Sequence, residues 1–124
     1  MKISIKSTNY KLEDEVRKYA TEKVNSLDKF IIGMDPEVVN AWVELGQTTN
    51  HHKQGGVLRA EVQFHLPGKS IRAEATTDNI FHAINEVTDE LKRELRKYKT
   101  KQVDKKRKQG RNLKEMLVNI FNRD

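Results

Sequence analysis

The sequence predicts an α+β domain of order β-α-β-β-β-α: a four-stranded mixed sheet with two helices packed on one face. Two patterns predict it. Four short stretches alternate apolar and polar residues with period two, so each has one apolar face. Two longer stretches carry a single apolar stripe at steps of three and four. A sheet with one apolar face needs one covering layer, and helices with one stripe each supply it.

Taken in order, Lys2 to Ser7 sets Ile3 and Ile5 against Lys2, Ser4 and Lys6, the pattern of a half-buried strand. Leu12 to Lys29 reads as a helix, with Leu12, Val16, Ala20, Val24 and Leu27 on one side and Tyr19 beside them. Glu13, Asp14 and Glu15 crowd its first turn, where the helix dipole favours acid, although no strong N-cap precedes them. Gly33, Asp35 and Pro36 break the chain. Val38 to Leu45 is the second strand, with Val39, Ala41, Val43 and Leu45 on one face. Gln47 to Gly56 is a polar loop. Val57 to Leu66 is the longest strand, with Leu58, Ala60, Val62, Phe64 and Leu66 inward. Pro67-Gly68-Lys69 signals a hairpin turn. Ser70 to Thr76 follows, with Ile71, Ala73 and Ala75 inward. The first β-α-β unit implies a right-handed crossover between parallel strands, and the last three strands an antiparallel meander.

The second helix, Thr77 to Gln109, organises the rest. Ile80, Ile84, Val87, Leu91, Leu95 and Tyr98 form its stripe, and Thr77 and Asp78 are its expected caps. Its second half is basic. Asp89 to Arg111 holds eleven Lys or Arg against four Asp or Glu, a net of +7 in a chain of net +6. Residues 78 to 109 would span roughly 48 Å, whereas strands of this length span about 23–34 Å. The stripe stops at Tyr98, so the helix is expected to overhang its sheet as a basic arm. Lys105 to Gly110 is expected to fray in solution and to be ordered by an anionic partner. The predicted organisation is a domain at 1–109 and a short amphipathic tail at 110–124. In that tail Leu113, Met116, Leu117, Ile120 and Phe121 share one helical face. It docks on its own domain, frays, or associates with a partner helix or a second copy.

Composition narrows the function. The chain has 124 residues, 35% of them apolar and 34% charged, so one thin core is expected. There is no cysteine, hence no disulfide, thiolate zinc site or catalytic thiol. No apolar leader or run of about 18 apolar residues occurs, and the expectation is a cytoplasmic protein without a membrane span. His51 and His52 have no third ligand at metal spacing, and no phosphate loop, nucleophile elbow or HExxH is present. No cofactor, metal or enzymatic activity is expected.

The basic charge is clustered, which suggests a nucleic-acid partner. Arg93, Lys97 and Lys101, at i, i+4 and i+8, form one ridge that can track a phosphate backbone; Lys92, Arg96 and Lys99 flank it, and Lys105 continues the arm. Lys18, Lys23 and Lys29 extend this surface if the helices lie side by side, or else are ordinary surface lysines. Trp42 falls on the uncovered sheet face, where it either stacks a base or packs beside Val38 and His65.

These residues resemble the ribosome hibernation-promoting factor / ribosome-associated inhibitor A family over about residues 1–103. The resemblance is carried by Phe81, Ala83-Ile84-Asn85, Leu91, Arg93, Leu95, Lys97 and Lys101, and on the first helix by Tyr19, Lys23 and Leu27. Glu94 and Asn79 depart from it. The tail matches neither the C-terminal dimerisation domain of long members nor the acidic tail of the inhibitor type, so a short or truncated form is implied. The resemblance implies binding to the small ribosomal subunit, through rRNA in the messenger and transfer RNA channel, and translation inhibition under stress or in stationary phase. It implies rRNA contacts by Lys23, Lys29, Lys92, Arg93, Arg96, Lys97, Lys99, Lys101 and Lys105. Two other functions fit the residues: a generic double-stranded RNA-binding module, and a protein–protein adaptor acting through the 111–124 apolar face.

Overall fold

A computed structural model describes residues 1–48 and 57–121, apart from the side chains of 102–106, 109 and 112–121. His51, His52, the Lys105 side chain and the side chains of Leu113, Met116, Leu117, Ile120 and Phe121 lie outside the described residues. The elements are β1 (Lys2–Thr8), α1 (Asp14–Asn25), β2 (Asn40–Gln47), β3 (Leu58–Leu66), β4 (Lys69–Thr77) and α2 (Ile80–Phe121), with 3-10 turns at Ser26–Phe30 and Pro36–Val38. This is the predicted β-α-β-β-β-α order.

The strands lie side by side in chain order. β1 pairs with β2 in parallel, and the other neighbours are antiparallel. The parallel pair needs a long crossover, which α1 provides. Register places Ala41, Phe64 and Ile71 in one row across the inner face, and Val43, Val62 and Ala73 in the next. All six are buried. Val16, Ala20, Val24 and Leu27 from the first helical stretch, and Ile80 to Tyr98 from α2, close over them. Gly46 sits where a Cβ would come within 3.0 Å of the Thr8 carbonyl oxygen, so a side chain there would press on β1.

Several boundaries shift for local reasons. The α-helical part of α1 is shorter than Leu12–Lys29: no side chain caps its start, and after Asn25 the chain tightens into the 3-10 turn. β2 starts at Asn40 rather than Val38, because Pro36 opens a 3-10 turn whose Asp35 carboxylate accepts the Glu37 N–H at 2.9 Å. The α2 cap is Asn79, not Thr77 or Asp78. Its Oδ1 accepts from the N–H groups of Phe81 (2.9 Å) and His82 (3.3 Å), while Thr77 Oγ1 accepts the Asn79 N–H. Thr88, inside the α2 stripe, is also buried; its hydroxyl lies 3.0 Å from the Ile84 and Asn85 carbonyl oxygens. A threonine can therefore sit in this core without an unsatisfied hydroxyl.

The largest difference is at the far end. α2 runs unbroken through Gly110 to Phe121, where the sequence suggests a break. Its 42 residues span about 63 Å. Tyr98 is its last buried residue among those described, and its hydroxyl donates to the Pro67 carbonyl at 3.2 Å. Lys99, Thr100, Lys101, Arg107, Lys108, Gly110 and Arg111 beyond it are all exposed, so the basic overhang is present.

The open sheet face carries Glu44, Glu61 and Glu74 directly opposite one another. Like charges so placed repel. Arg59 and Arg72 interleave them: Arg59 bonds Glu74 at 2.8 Å and also Glu61, and Arg72 bonds Glu61 at 2.8 Å and Glu74 at 3.1 Å. The hydrogen bond from Arg72 lowers the pKa of Glu61, and that from Arg59 lowers the pKa of Glu74, below their ordinary value of 4.5.

Three outcomes follow from this packing. Phe64 is fully buried at the sheet centre, so Phe64→Ala should cost about 3–5 kcal/mol in urea unfolding. Because the folded-state pKa values of Glu61 and Glu74 are depressed, their contribution is complete above the unfolded value and is lost as the pH falls through the folded value. The urea midpoint should therefore decline below about pH 4.5, and less steeply in Glu61→Gln. A Cβ at Gly110 would meet nothing within 4 Å, so Gly110→Ala should stabilise the outer part of α2 by about 1 kcal/mol, seen as slower amide exchange around it.

Candidate nucleic-acid interface

The site begins where α1 meets α2. The Tyr19 hydroxyl donates to Asn85 Oδ1 at 2.6 Å, and the Tyr19 ring sets its edge on Phe81 with centroids 5.0 Å apart. These contacts hold one side of α2 against α1. Phe81, Asn85, Lys92, Arg96 and Lys99 recur at steps of four, seven, four and three, so they share that side. On α1, Lys23 lies one turn after Tyr19, its Nζ 5.8 Å from the Tyr19 ring centre. The 3-10 turn then delivers Lys29 and Phe30. The Arg96 guanidinium lies 5.6 Å from the Phe30 ring centre and Lys29 Nζ lies 5.3 Å from it. Five of the predicted cations, Lys23, Lys29, Lys92, Arg96 and Lys99, are thus gathered along the seam of the two helices.

Arg93, Lys97 and Lys101 sit farther round α2, away from α1. Arg93 is hydrogen-bonded to Glu90, which raises its pKa, and Lys97 Nζ lies 3.4 Å from Glu94. The adjoining groove is lined by Glu74, Ala75, Glu86, Asp89, Glu90 and Arg93. The acids three residues before Arg93 and Lys97 therefore screen part of this ridge. Along the seam the corresponding contact is weaker: Lys92 reaches Asp89 only at 4.0 Å, and no ion pair to Lys23, Lys29, Arg96 or Lys99 occurs among the described residues. The seam, which the sequence treats as a flank, is the more uniformly positive of the two surfaces. Lys18 is exposed and lies a ridge away from Tyr19 and Lys23.

Phe30 is the member of this site that sequence reasoning misses. It falls outside the α1 stripe, and its one signal is an aromatic ring next to Lys29 at the helix end. Trp42 is 46% exposed on the open sheet face and packs edge-on against His65 with centroids 5.2 Å apart. It lies on the side of the sheet away from the helices. Among the described residues no three His, Cys, Asp or Glu side chains are grouped so as to hold a metal ion, and no helix is long and apolar enough to cross a membrane.

Comparison with known proteins agrees with this architecture. The family model described as sigma 54 modulation protein / S30EA ribosomal protein matches residues 3–103. A ribosome hibernation promotion factor of Lactococcus lactis subsp. cremoris is 34% identical over 103 residues, covering 82% of this chain and 51% of its own length. One from Deinococcus radiodurans is 33% identical over 105 residues, covering 83% and 51%. The chain thus spans about half the length of these curated relatives. Among solved structures, the Thermus thermophilus Protein Y N-terminal domain superposes with a TM-score of 0.65 at 26% identity, over 79% of this chain and 99% of that one. A ribosomal subunit interface protein from Coxiella burnetii shares the fold, with a TM-score of 0.62 at 19% identity over 81% and 99%. On the match across residues 3–103, the chain belongs to the sigma 54 modulation protein / S30EA ribosomal protein family.

Proposed function

We propose that this chain is a ribosome hibernation factor that binds the small ribosomal subunit through rRNA in the messenger and transfer RNA channel. Occupancy there blocks translation sterically under stress or in stationary phase, in the cytoplasm and without catalysis. The names of the relatives support the hibernation role. The observation that carries the binding mode is the gathering of Lys23, Lys29, Lys92, Arg96 and Lys99 along one helix seam. Cations spread over two helices can each meet a different phosphate of a folded RNA, which gives affinity with little base reading. The exposed basic arm beyond Tyr98 adds further positive charge next to the seam, with Lys101 on the Arg93 side and, in sequence, Lys105. Arg93 and Lys97 add to it by exchanging Glu90 and Glu94 for phosphate; exposed ion pairs are worth only about 0–1 kcal/mol, so that exchange costs little. The binding unit is residues 1–109, and residues 110–124 are its tail.

Co-sedimentation with purified small subunits over a salt series tests this reading. Wild type should pellet with subunits and resist competition by duplex RNA. A Lys29→Glu/Lys92→Glu/Arg96→Glu variant should bind at least a hundredfold more weakly, with a salt slope shallower by about two to three. An Arg93→Glu/Lys97→Glu/Lys101→Glu variant should lose less, because two of its three cations already carry acidic partners. Easy displacement by duplex RNA would point instead to a generic RNA-binding module. Loss of binding on deleting 111–124, with both charge-reversal variants intact, would point to an adaptor.

A further inference from the structure

Arg96 is placed unlike the other arginine of this helix segment. Arg93 is held by a carboxylate, Glu90. Arg96 has Lys92, Arg93, Lys99 and Thr100 at the positions three and four residues away, so the helix offers it no acid. It is held instead against Phe30, with its guanidinium 5.6 Å from the ring centre. Lys29 Nζ lies 5.3 Å from the same centre. Phe30 itself is half-buried and packs against the core, so the ring is anchored from below.

A carboxylate and an aromatic ring both attract a cation, with different consequences. The carboxylate cancels the charge it holds. The ring attracts through its quadrupole and carries no net charge, so the cation keeps its full field. The two distances to the ring centre put the cations at most about 11 Å apart, on the order of the Debye length of about 8–10 Å, so they repel each other at low salt. An anion bound between them would relieve that repulsion.

We infer that Phe30 is a positioning residue that holds Lys29 and Arg96, from two separate elements, as a preorganised two-cation phosphate subsite. This rests on the rRNA-binding reading above for its biological ligand, but the positioning itself is a property of the free protein. Preorganisation lowers the ordering cost of binding and leaves the number of phosphates contacted unchanged. Removing the ring should therefore weaken binding without altering its salt slope, whereas removing a cation should alter both.

The test compares wild type with Phe30→Leu, Phe30→Tyr and Arg96→Gln. Phe30→Leu keeps an apolar side chain against the core and lacks the quadrupole; Phe30→Tyr keeps both. Side-chain NMR relaxation at Arg96 Nε, in protein whose amide spectrum shows a retained fold, should report a more mobile guanidinium in Phe30→Leu and wild-type order in Phe30→Tyr. Inorganic pyrophosphate, titrated at low salt, should shift the Arg96 and Lys29 side-chain signals together in wild type. Affinity for small subunits should fall about three- to tenfold in Phe30→Leu with the slope unchanged, stay near wild type in Phe30→Tyr, and fall with a slope shallower by about one in Arg96→Gln. An Arg96 guanidinium as ordered in Phe30→Leu as in wild type overturns the inference, and so does unchanged affinity with wild type bound. If wild type fails to bind subunits, the hibernation reading falls, and the relaxation and pyrophosphate measurements still decide the role of Phe30.

Discussion

Ile80, Ile84, Val87, Leu91 and Leu95 lose nearly all their exposure against the inner faces of β3 and β4. That burial sets where α2 lies and how it is rotated about its own axis. Side chains on a helix turn by about 100° per residue, so once one stripe is committed to the core every other position is assigned a direction. Lys92, Arg96 and Lys99 then face the seam with α1, while Arg93 faces the acidic groove beside β4. Moving the stripe by one residue would turn the helix by about 100° and carry one of these cation sets into the core. The charge pattern that the domain offers to a partner is therefore a consequence of its core.

The stripe also ends where the sheet ends. Tyr98 reaches the carbonyl of Pro67 at the β3–β4 turn, and beyond that point the described side chains of α2 have no core to meet. The helix continues for 23 more residues, about 34 Å, and the side chains described there are exposed. Nearly all of those side chains are cationic. The same molecule thus joins a positive seam, fixed by Tyr19, Asn85 and Phe81, to an arm whose described cations are exposed. The seam offers cations at set positions; the arm offers charge exposed to solvent.

The opposite face of the sheet is built on a different electrostatic plan. Glu44, Glu61 and Glu74 stand in a row, with Arg59 and Arg72 set among them. There Arg59 and Arg72 each lie close to two or more carboxylates, so their fields cancel within a few ångströms. Arginines occur on both sides of the molecule, but those of the open sheet face are interleaved with carboxylates whereas Arg96 on the helical side is held against Phe30. Counting cations along the chain does not separate these cases; the distance to the nearest acid does.

Local periodicity alone settled the element order, the inward faces of all four strands and the α2 stripe from Ile80 to Tyr98, because alternation and the 3.6-residue repeat are properties of adjacent residues. The basic character of the outer helix was equally plain from composition. The tertiary structure decided which cations act together. The Tyr19–Asn85 hydrogen bond joins residues 66 apart in the chain, and Phe30 meets Arg96 across a comparable gap, so no local pattern shows either. Asn79 displaced Thr77 and Asp78 as the cap because the geometry of the β4–α2 turn aims its carboxamide at the free N–H groups. Gly110 suggested a stop, but glycine ends a helix only where the chain takes up a left-handed turn, and here the backbone continues as helix. Sequence shows which residues can bind an anion. The packing of α1 on α2 determines which of them face it together, because that contact alone brings charges from distant parts of the chain to one seam.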